Sequence, residues 1–384
     1  MMLKKISYDQ LNGTETEWRF EPLDLGAINL IVGKNASGKS RTLAVIDNYS
    51  LLLSGKKDPE YEDEGVCLTL GNGNQSIEYE IKVRKQEVYH ERVVVSGEEK
   101  LIRGLGGVGR IYTEAQRGMM AFQAPANKLA AVVRQDAIQH AFLEPLKKWA
   151  ESVVRYEFGG PFGRTTLAIL VKQGSASSEE EGDKFDIRDT NQVLKVFRRG
   201  QRDFGESFTR LILEDMRSIG YKVTEASTMQ PPHLKVEQPL PGEISSIYVR
   251  EEDLKVPIAQ IHMSQGMWRA MSIIIHANFA ILSNEARCML IDDFGEWLDF
   301  ERASGLASLL VKKFEGSHSQ LIMATNDRFI MNSVPLEYWT VLHRVAETVK
   351  FVHARNHSEL FEKFKFTGLS NFDFFATEFF KEEA

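Results

Sequence analysis

The motif that most constrains this chain is Gly-x-x-x-x-Gly-Lys-Ser, which spans residues 33–40. Residues 27–32, before it, form an apolar run typical of a buried strand, and residues 41–53, after it, have the apolar spacing of a helix. A glycine-rich turn between a strand and a helix directs backbone N–H groups and the positive end of the helix towards phosphate oxygens. The pattern therefore predicts a phosphate-binding loop.

The side chains of this loop have the chemistry that a nucleotide requires. We expect the Lys39 ammonium to reach the β- and γ-phosphates and the Ser40 hydroxyl to bind Mg²⁺. The residues expected to contact the nucleotide are Gly33, Asn35, Ala36, Ser37, Gly38, Lys39, Ser40 and Arg41. The loop thus predicts a nucleotide and Mg²⁺ as cofactors.

Composition limits the class of protein. The chain has 384 residues, 43% hydrophobic and 26% charged, which suits one large or two modest globular domains. No apolar run is long enough to span a bilayer, and the N-terminus lacks the apolar stretch of a secretion signal. Cys67 and Cys288 lie in apolar segments, as reduced core thiols do. These features predict a cytoplasmic protein that does not bind membranes.

The net charge of −7 disfavours non-specific binding to nucleic acid or to anionic lipid. A local basic patch on an assembled dimer is compatible with that charge, so nucleic-acid binding is left open.

Changes in pattern divide the chain into three parts. Residues 1–135 are interpreted as a β-rich N-terminal lobe with the phosphate loop, in which residues 77–84 alternate apolar and charged side chains. Residues 136–240 are predicted to be an insertion of helical and mixed structure. Residues 241–384 are predicted to be a C-terminal lobe with a second strand–helix unit.

Apolar spacing within the insertion predicts helices over residues 136–156 and 191–219 and a strand over 165–171. Residues 174–183 are polar and acidic, which is typical of a solvated loop. The prolines within 231–241 predict a loop or a sheet edge.

Residues 104–109 fit the dinucleotide-binding pattern Gly-x-Gly-x-x-Gly. That pattern must open a helix, whereas this glycine-rich stretch leads into a predicted strand over 110–113. We therefore interpret it as a turn.

Two carboxylates end a second apolar strand, predicted over residues 288–293. The last residues of a buried parallel strand lie at the carboxyl edge of the sheet, where a phosphate loop also lies. Asp292 is then placed to hold Mg²⁺ through its water shell, and Asp293 to orient or deprotonate an attacking water. Upstream, Ser264 is a good N-cap for an apolar helix, and Gly266 allows backbone to approach an anion.

The order of these motifs resembles the ABC-class ATPase head. It is most similar to the soluble branch with SMC-type chromosome proteins, DNA-repair ATPases and ATPases of bacterial anti-phage systems. Residues 263–266 are similar to the signature Leu-Ser-Gly-Gly, and residues 292–299 to the run Asp-Glu-x-x-x-x-Leu-Asp that ends in the D-loop at Asp299. The resemblance implies an α/β fold: a β-rich N-lobe, a mainly parallel P-loop sheet flanked by helices, and a helical insertion.

The resemblance also implies roles for single residues, with departures from the family pattern. Asp293 stands where the family has its catalytic Glu, with Glu296 as an alternative base. Asn326 stands where the family has its switch His. Asn cannot become positively charged as His can. Gln265 stands where the signature Leu-Ser-Gly-Gly has its first glycine. We therefore expect slow ATP hydrolysis.

The resemblance also implies a Q-loop glutamine, for which the first candidate is Gln135, followed by Gln116 and Gln123.

Three functions are compatible with this resemblance. The first is an ATP-binding sensor or regulator of a nuclease or toxin in anti-phage defence, which would dimerise through two ATP molecules. The second is a DNA-repair or chromosome ATPase, although neither a long coiled coil nor a basic face is visible. The third is a transporter's nucleotide-binding subunit, which the weak signature and large insertion disfavour.

Phenylalanines crowd the C-terminus, and two interpretations stay open. Their rings either pack back on the head or form a docking element for a partner protein. The residues are Phe361, Phe364, Phe366, Phe372, Phe374, Phe375, Phe379 and Phe380.

Overall fold

Two kinds of apolar pattern build the strands of this protein. Where apolar and charged residues alternate, as in Ser76–Arg84, one face of the strand is buried and the other is open to solvent. Where the apolar run is continuous, as in Ile28–Val32 and Cys288–Asp292, every residue of the strand is buried. The first kind predicts antiparallel strands and the second predicts parallel strands covered on both faces.

The structure is a computed structural model that describes residues 1–73, 75–166, 168–171, 186–230, 242–285 and 287–381. The strands are β1 (Met2–Gln10), β2 (Trp18–Asp24), β3 (Ile28–Val32), β4 (Asp63–Gly71), β5 (Ser76–Arg84), β6 (Glu87–Val95), β7 (Glu98–Arg103), β8 (Val108–Thr113), β9 (Gly118–Gln123), β10 (Val153–Glu157), β11 (Ala168–Val171), β12 (Val223–Met229), β13 (Gly242–Glu251), β14 (Ile258–Ala259), β15 (Cys288–Asp292), β16 (Gln320–Thr325), β17 (Trp339–Val345) and β18 (Thr348–His353).

The α-helices of the same described ranges are α1 (Lys39–Leu53), α2 (Ala130–Val133), α3 (Glu144–Ser152), α4 (Val193–Phe204), α5 (Glu206–Ser218), α6 (Gln265–Leu282), α7 (Phe300–Phe314), α8 (Arg328–Ser333), α9 (Ser358–Lys365) and α10 (Asn371–Ala376). Among them, no helix combines the length and the apolar character needed to cross a membrane.

Fourteen of the described strands form one sheet, in the order β10-β15-β16-β3-β17-β18-β2-β1-β4-β5-β6-β7-β8-β9. The five strands from β10 to β17 run parallel to one another, so their carboxyl ends share one edge. From β1 through β4 to β9 the pairing is antiparallel. This confirms the predicted α/β class, with a β-rich N-lobe beside a mainly parallel P-loop sheet.

The two helices of the insertion, α4 and α5, pack against α6 close to a small second sheet, β11-β13-β12, to which β14 adds. The helical stretch predicted over 191–219 forms two helices, α4 and α5, which are separated at Gly205, with φ +64°. That backbone conformation is available to glycine and interrupts a helix. The predicted strand over 165–171 is shorter than expected, since β11 begins at Ala168.

The predicted helix over 136–156 is right only in its middle, because residues 136–143 form turns and a short 3₁₀ helix, Ala141–Leu143, before α3 begins at Glu144. Helix α3 ends at Ser152, and Val153–Glu157 forms β10, which pairs in parallel with β15. Val153, Val154 and Tyr156 are buried between layers, where β-branched and aromatic residues favour a strand. Residues 174–183 and 231–241, interpreted above as loops, lie outside the described residues.

Two smaller predictions are confirmed. The loop at 104–109 forms a short 3₁₀ turn, Leu105–Gly107, and leads into strand β8, so it opens no α-helix. The phenylalanines of the C-terminus pack back on the head: Phe361, Phe364, Phe374 and Phe380 are buried, whereas Phe366 is 89% exposed.

The C-terminal packing gives a stability prediction. Phe374 is fully buried, and its ring lies 4.6 Å from that of Phe361 and 5.0 Å from that of Phe364. We expect Phe374→Ala to reduce the free energy of unfolding by about 3–5 kcal/mol, since the surrounding rings cannot close the cavity. Phe366→Ala is the control and should change it by less than about 0.5 kcal/mol. Equal urea unfolding midpoints for the two variants would contradict this packing.

Candidate functional site

The phosphate loop joins the carboxyl end of β3 to the first turn of α1. Ala36 and Gly38 have positive φ angles, +62° and +109°, which turn the backbone back on itself. A Cβ on Gly33 would lie 2.6 Å from Ser37 Oγ and 2.9 Å from the Leu342 carbonyl oxygen, so only glycine fits there. The loop therefore has the tight curvature of an anion-binding nest.

Lys39 spans the inside of this loop. Its Nζ donates to the carbonyl oxygens of Gly33, at 2.8 Å, and Lys34, at 3.2 Å, and the residue is 7% exposed. Burial lowers the pKa of Lys39, while Asp293 and Asp292 oppose that shift. Since only carbonyl dipoles and two nearby carboxylates face the ammonium, an incoming phosphate can replace the carbonyls as its partner.

Ser40 and Asp292 meet although 252 positions separate them. The Ser40 hydroxyl donates to Asp292 Oδ1 at 2.9 Å, and the Arg155 guanidinium donates to Asp292 Oδ2 at 2.9 Å. Asp292 is 4% exposed at the end of β15. A hydroxyl beside a carboxylate is the hard oxygen donor set that Mg²⁺ prefers, so these residues fit the cation.

Mg²⁺ in nucleotide sites usually takes one or two protein ligands, the rest being phosphate oxygens and water. Within the ranges that the structure describes, no group of three or more His, Cys, Asp or Glu side chains is arranged to hold a metal ion.

Asp293 follows at the sheet edge with φ +49°, a left-handed backbone conformation that residues with a side chain rarely adopt. Partial burial and the neighbouring Asp292 carboxylate raise the pKa of Asp293, and the positive charges of Lys39 and Arg155 oppose the rise. A carboxyl group with a raised pKa is a better proton acceptor than an ordinary surface aspartate.

Asn326 lies directly after β16, the strand between β15 and β3. Its Nδ2 donates to Asn35 Oδ1 in the phosphate loop at 2.8 Å. The parallel register pairs Thr325 with Val32, which brings the two strand ends level. Asn326 is thus joined to the phosphate loop by its side chain.

Ser264 and Gly266 lie at a different place, at the start of α6. Ser264 caps the helix by accepting from the Met267 N–H at 3.2 Å. A Cβ on Gly266 would lie 2.7 Å from the Trp297 carbonyl oxygen, and Asp299 caps α7 by accepting from the Arg302 N–H at 3.0 Å. The start of α6 therefore packs against Trp297 and Leu298, next to the cap of α7.

Two solved structures resemble the whole fold. An Smc head bound to the C-winged helix domain of ScpA matches with TM-score 0.54 at 12% identity, over 92% of this chain and 98% of that chain. A second, an Smc head domain with an extended coiled coil bound to the C-terminal domain of ScpA, derived from Pyrococcus furiosus, matches with TM-score 0.51 at 12% identity, over 94% of this chain and 99% of that chain. No protein-family model and no curated protein matches the sequence.

The chain has the fold of an SMC head domain. This is the ABC-class ATPase fold, so the resemblance stated from the motif order is confirmed. In this SMC-head fold the phosphate loop, Asp292, Asp293 and Asn326 share the carboxyl edge of the parallel strands.

The Q-loop glutamine is not among the residues that the described contacts bring to this edge. Gln135 follows α2, and its N–H donates to the Val132 carbonyl. Gln116 lies in the turn between β8 and β9, and Gln123 ends β9, the far edge strand of the sheet. Strand β10 lies beside β15, and residues 158–160, which follow β10, contain no glutamine. Gln135 stays a prediction.

The side-chain contacts of Arg41 are with β1 and β2 in this SMC-head fold. Its guanidinium lies 3.9 Å from the Trp18 ring centre, and it donates to Gln10 Oε1 at 2.5 Å. It therefore pins the first turn of α1 to β1 and β2, and its contact with nucleotide stays a prediction.

Sequence reasoning missed Arg155 and Arg269. Arg155 was hidden because its strand was interpreted as helix, although the run Val-Val-Arg-Tyr-Glu alternates as a strand can. Arg269, on α6, donates to the carbonyl oxygens of Gly159 at 2.5 Å and Gly160 at 3.1 Å, and it lies 5.2 Å from the Trp297 ring centre. Arg269 therefore links the turn after β10 to helix α6, a contact that no sequence motif reveals.

The contact between α6 and residues 297–299 gives a second prediction. We expect Gly266→Ala to lower the free energy of unfolding by about 1–3 kcal/mol, because the new methyl group meets a backbone carbonyl that cannot move cheaply. Gly305→Ala, in the middle of α7, is the matched control: its Cβ would lie 3.4 Å from Ile219 Cγ2, an ordinary contact. That variant should be as stable as the wild type or up to about 1 kcal/mol more stable. Urea unfolding of both variants tests the difference in sign.

Proposed function

We propose that this protein is an ABC-class ATPase that binds Mg-ATP at the phosphate loop and dimerises through it. The observation that carries the proposal is the 2.9 Å hydrogen bond from Ser40 to Asp292, with Lys39 beside them. A loop with an anion-binding shape thus faces two oxygen ligands suited to a divalent cation.

Each residue at the edge has a distinct role in the proposed reaction. Lys39 neutralises charge on the β- and γ-phosphates, and Ser40 and Asp292 hold Mg²⁺, which when bound neutralises phosphate charge. Asp293 accepts the proton of the attacking water, and the Asn326 amide, held against Asn35, donates to the γ-phosphate.

Slow hydrolysis is part of the proposal. Asp293 is one methylene shorter than the Glu of the family pattern, so its carboxylate reaches less far towards a water. Asn326 cannot carry the positive charge that a protonated His supplies. Both departures reduce stabilisation of the transition state while leaving the contacts that bind ATP, so the ATP-bound state is expected to persist.

A second copy of the chain would complete the site. Ser264 is exposed at the N-terminus of an 18-residue helix, whose positive end attracts a phosphate. Beside it, Trp297 and Phe300 are 64% and 54% exposed, and two large aromatic side chains exposed so close together suit a surface that a partner covers. We therefore propose a two-fold dimer in which Ser264, Gly266 and Asp299 of each copy face the other copy's ATP.

The biological role we propose is that of a cytoplasmic sensor or regulator of a separate effector, a nuclease or toxin, in anti-phage defence. The SMC-head fold covers 92% of this chain, which leaves little chain for an effector domain within it. The ScpA domains bound in the two solved structures are precedents for a head that carries a protein partner. A neighbouring nuclease or toxin gene would support this role, whereas a neighbouring permease gene would contradict it. ATPase activity stimulated by duplex DNA, and lost steeply with salt, would instead favour a DNA-repair or chromosome ATPase.

Nucleotide binding tests the core of the proposal. We expect Lys39→Ala to weaken ATP binding about 10- to 100-fold, because a buried charge-assisted contact to phosphate is lost. Asp293→Asn should bind ATP like the wild type and lose hydrolysis. Lys56→Ala, which removes a lysine just beyond α1, is the control and should leave affinity unchanged. Calorimetric titration measures the ATP affinity of the three variants, and phosphate release measures hydrolysis by Asp293→Asn. Unchanged affinity in Lys39→Ala would refute the site.

Mixing two inactive variants tests the dimer. Ser264→Asp keeps a helix cap but places a negative charge against the partner's γ-phosphate, and Asp293→Asn removes the base. In a heterodimer of the two, one composite site is intact, so a 1:1 mixture should recover about a quarter of wild-type hydrolysis. Ser264→Thr, which keeps both cap and hydroxyl, should stay active alone. No recovery in a mixture that light scattering shows to be dimeric would contradict shared sites.

A further inference from the structure

Arg155 holds the carboxylate that the cation needs. It lies on β10, beside β15, and its Nη2 is 2.9 Å from Asp292 Oδ2 and 3.5 Å from Glu157 Oε1. The side chain of Asp292 is 6% exposed and that of Arg155 is 20% exposed, so solvent screens their attraction only weakly.

The second oxygen of Asp292 is also engaged. Asp292 Oδ1 accepts from the Ser40 hydroxyl at 2.9 Å and from the Asp293 N–H at 3.2 Å. Both oxygens therefore already accept protein hydrogen bonds. The water shell of a bound Mg²⁺ would need the same acceptors. The Arg155 guanidinium thus already donates to Asp292 where the waters around a bound Mg²⁺ would otherwise donate.

The charge around Asp292 explains why an arginine belongs there. Three carboxylates, Asp292, Asp293 and Glu157, gather at the ends of two adjacent strands, because β10 and β15 pair Glu157 with Asp292. Without a cation, Arg155 and Lys39 are the positive charges that act on Asp293. When a divalent cation enters, it and the guanidinium repel each other at one carboxylate.

We propose that Arg155 is a positioning residue that competes with Mg²⁺ for Asp292 and so sets the Mg²⁺ concentration at which ATP is retained. The inference rests on the proposed function, since it concerns the same Mg-ATP site. It differs from a role in phosphate binding, in which the guanidinium would contact ATP itself and act without any metal.

The experiment measures binding of a fluorescent, non-hydrolysable ATP analogue at increasing Mg²⁺, and again in EDTA. Arg155→Met keeps the side-chain volume and removes the charge. We expect its half-saturating Mg²⁺ concentration to be roughly tenfold lower than that of the wild type. Its affinity for the analogue in EDTA should be unchanged. Arg155→Lys, which retains a positive charge, should stay close to the wild type.

A second variant keeps the test informative if Arg155→Met folds poorly. Glu157 is 72% exposed in its side chain, so Glu157→Gln should fold normally. It frees Arg155 to pair with Asp292 alone, and should therefore raise the half-saturating Mg²⁺ concentration. Where Arg155→Met does fold, the same change in its background should have a smaller effect, which a double-mutant cycle measures.

Several outcomes would overturn the inference. An Mg²⁺ midpoint that is equal in the wild type and Arg155→Met would do so, as would weaker binding of the analogue to Arg155→Met in EDTA. The latter would make Arg155 a phosphate contact. If the wild type binds no analogue under any condition, the proposed function fails instead. Binding of Mn²⁺ alone, measured by electron paramagnetic resonance, then still tests Arg155: Arg155→Met should bind Mn²⁺ more tightly, and equal binding would refute the competition.

Discussion

The hydrogen bond between Ser40 and Asp292 is the contact on which the site depends, and the parallel sheet makes it. Ser40 follows β3 and Asp292 ends β15, and β16 separates the two strands. Parallel strands carry their last residues to one edge, so the helix start after β3 and the acid after β15 are brought level. Both faces of β3 are packed, and neighbouring residues such as Leu30 and Ile31 join different apolar clusters, so a slip by one residue would exchange the side chains of the two clusters.

Electrostatics then shapes what the edge can do. Asp292, Asp293 and Glu157 would repel one another if left alone, and the positive charges of Lys39 and Arg155 offset that repulsion. Partial burial and the Asp292 carboxylate nevertheless raise the pKa of Asp293, which suits a proton acceptor. This arrangement of charges supports the proposal of a magnesium nucleotide, which brings both an anion and a cation.

Much of this could be predicted from the sequence, where a local pattern is itself the physical cause. The phosphate loop needs glycines with particular backbone angles, and the strands beside it need uninterrupted apolar runs. The strand Val153–Glu157 was missed because a short apolar run next to a helix has no period of its own. The strand conformation of these residues depends on pairing with β15. Because the strand was not predicted, the position of Arg155 was not predicted either.

The sequence by itself determined which residues are proposed to bind a phosphate and a cation, namely those of the loop at 33–40 and the carboxylates at 292 and 293. It also determined that the C-terminal rings had to be covered by something. Only the tertiary structure decided that those rings cover the head itself, and that Arg155 lies on Asp292 and Arg269 on the Gly159 carbonyl. The physical reason is the distance along the chain over which each kind of interaction acts. Backbone angles and apolar periods act between neighbours in the chain, whereas ion pairs between distant residues depend on which strands the sheet places side by side.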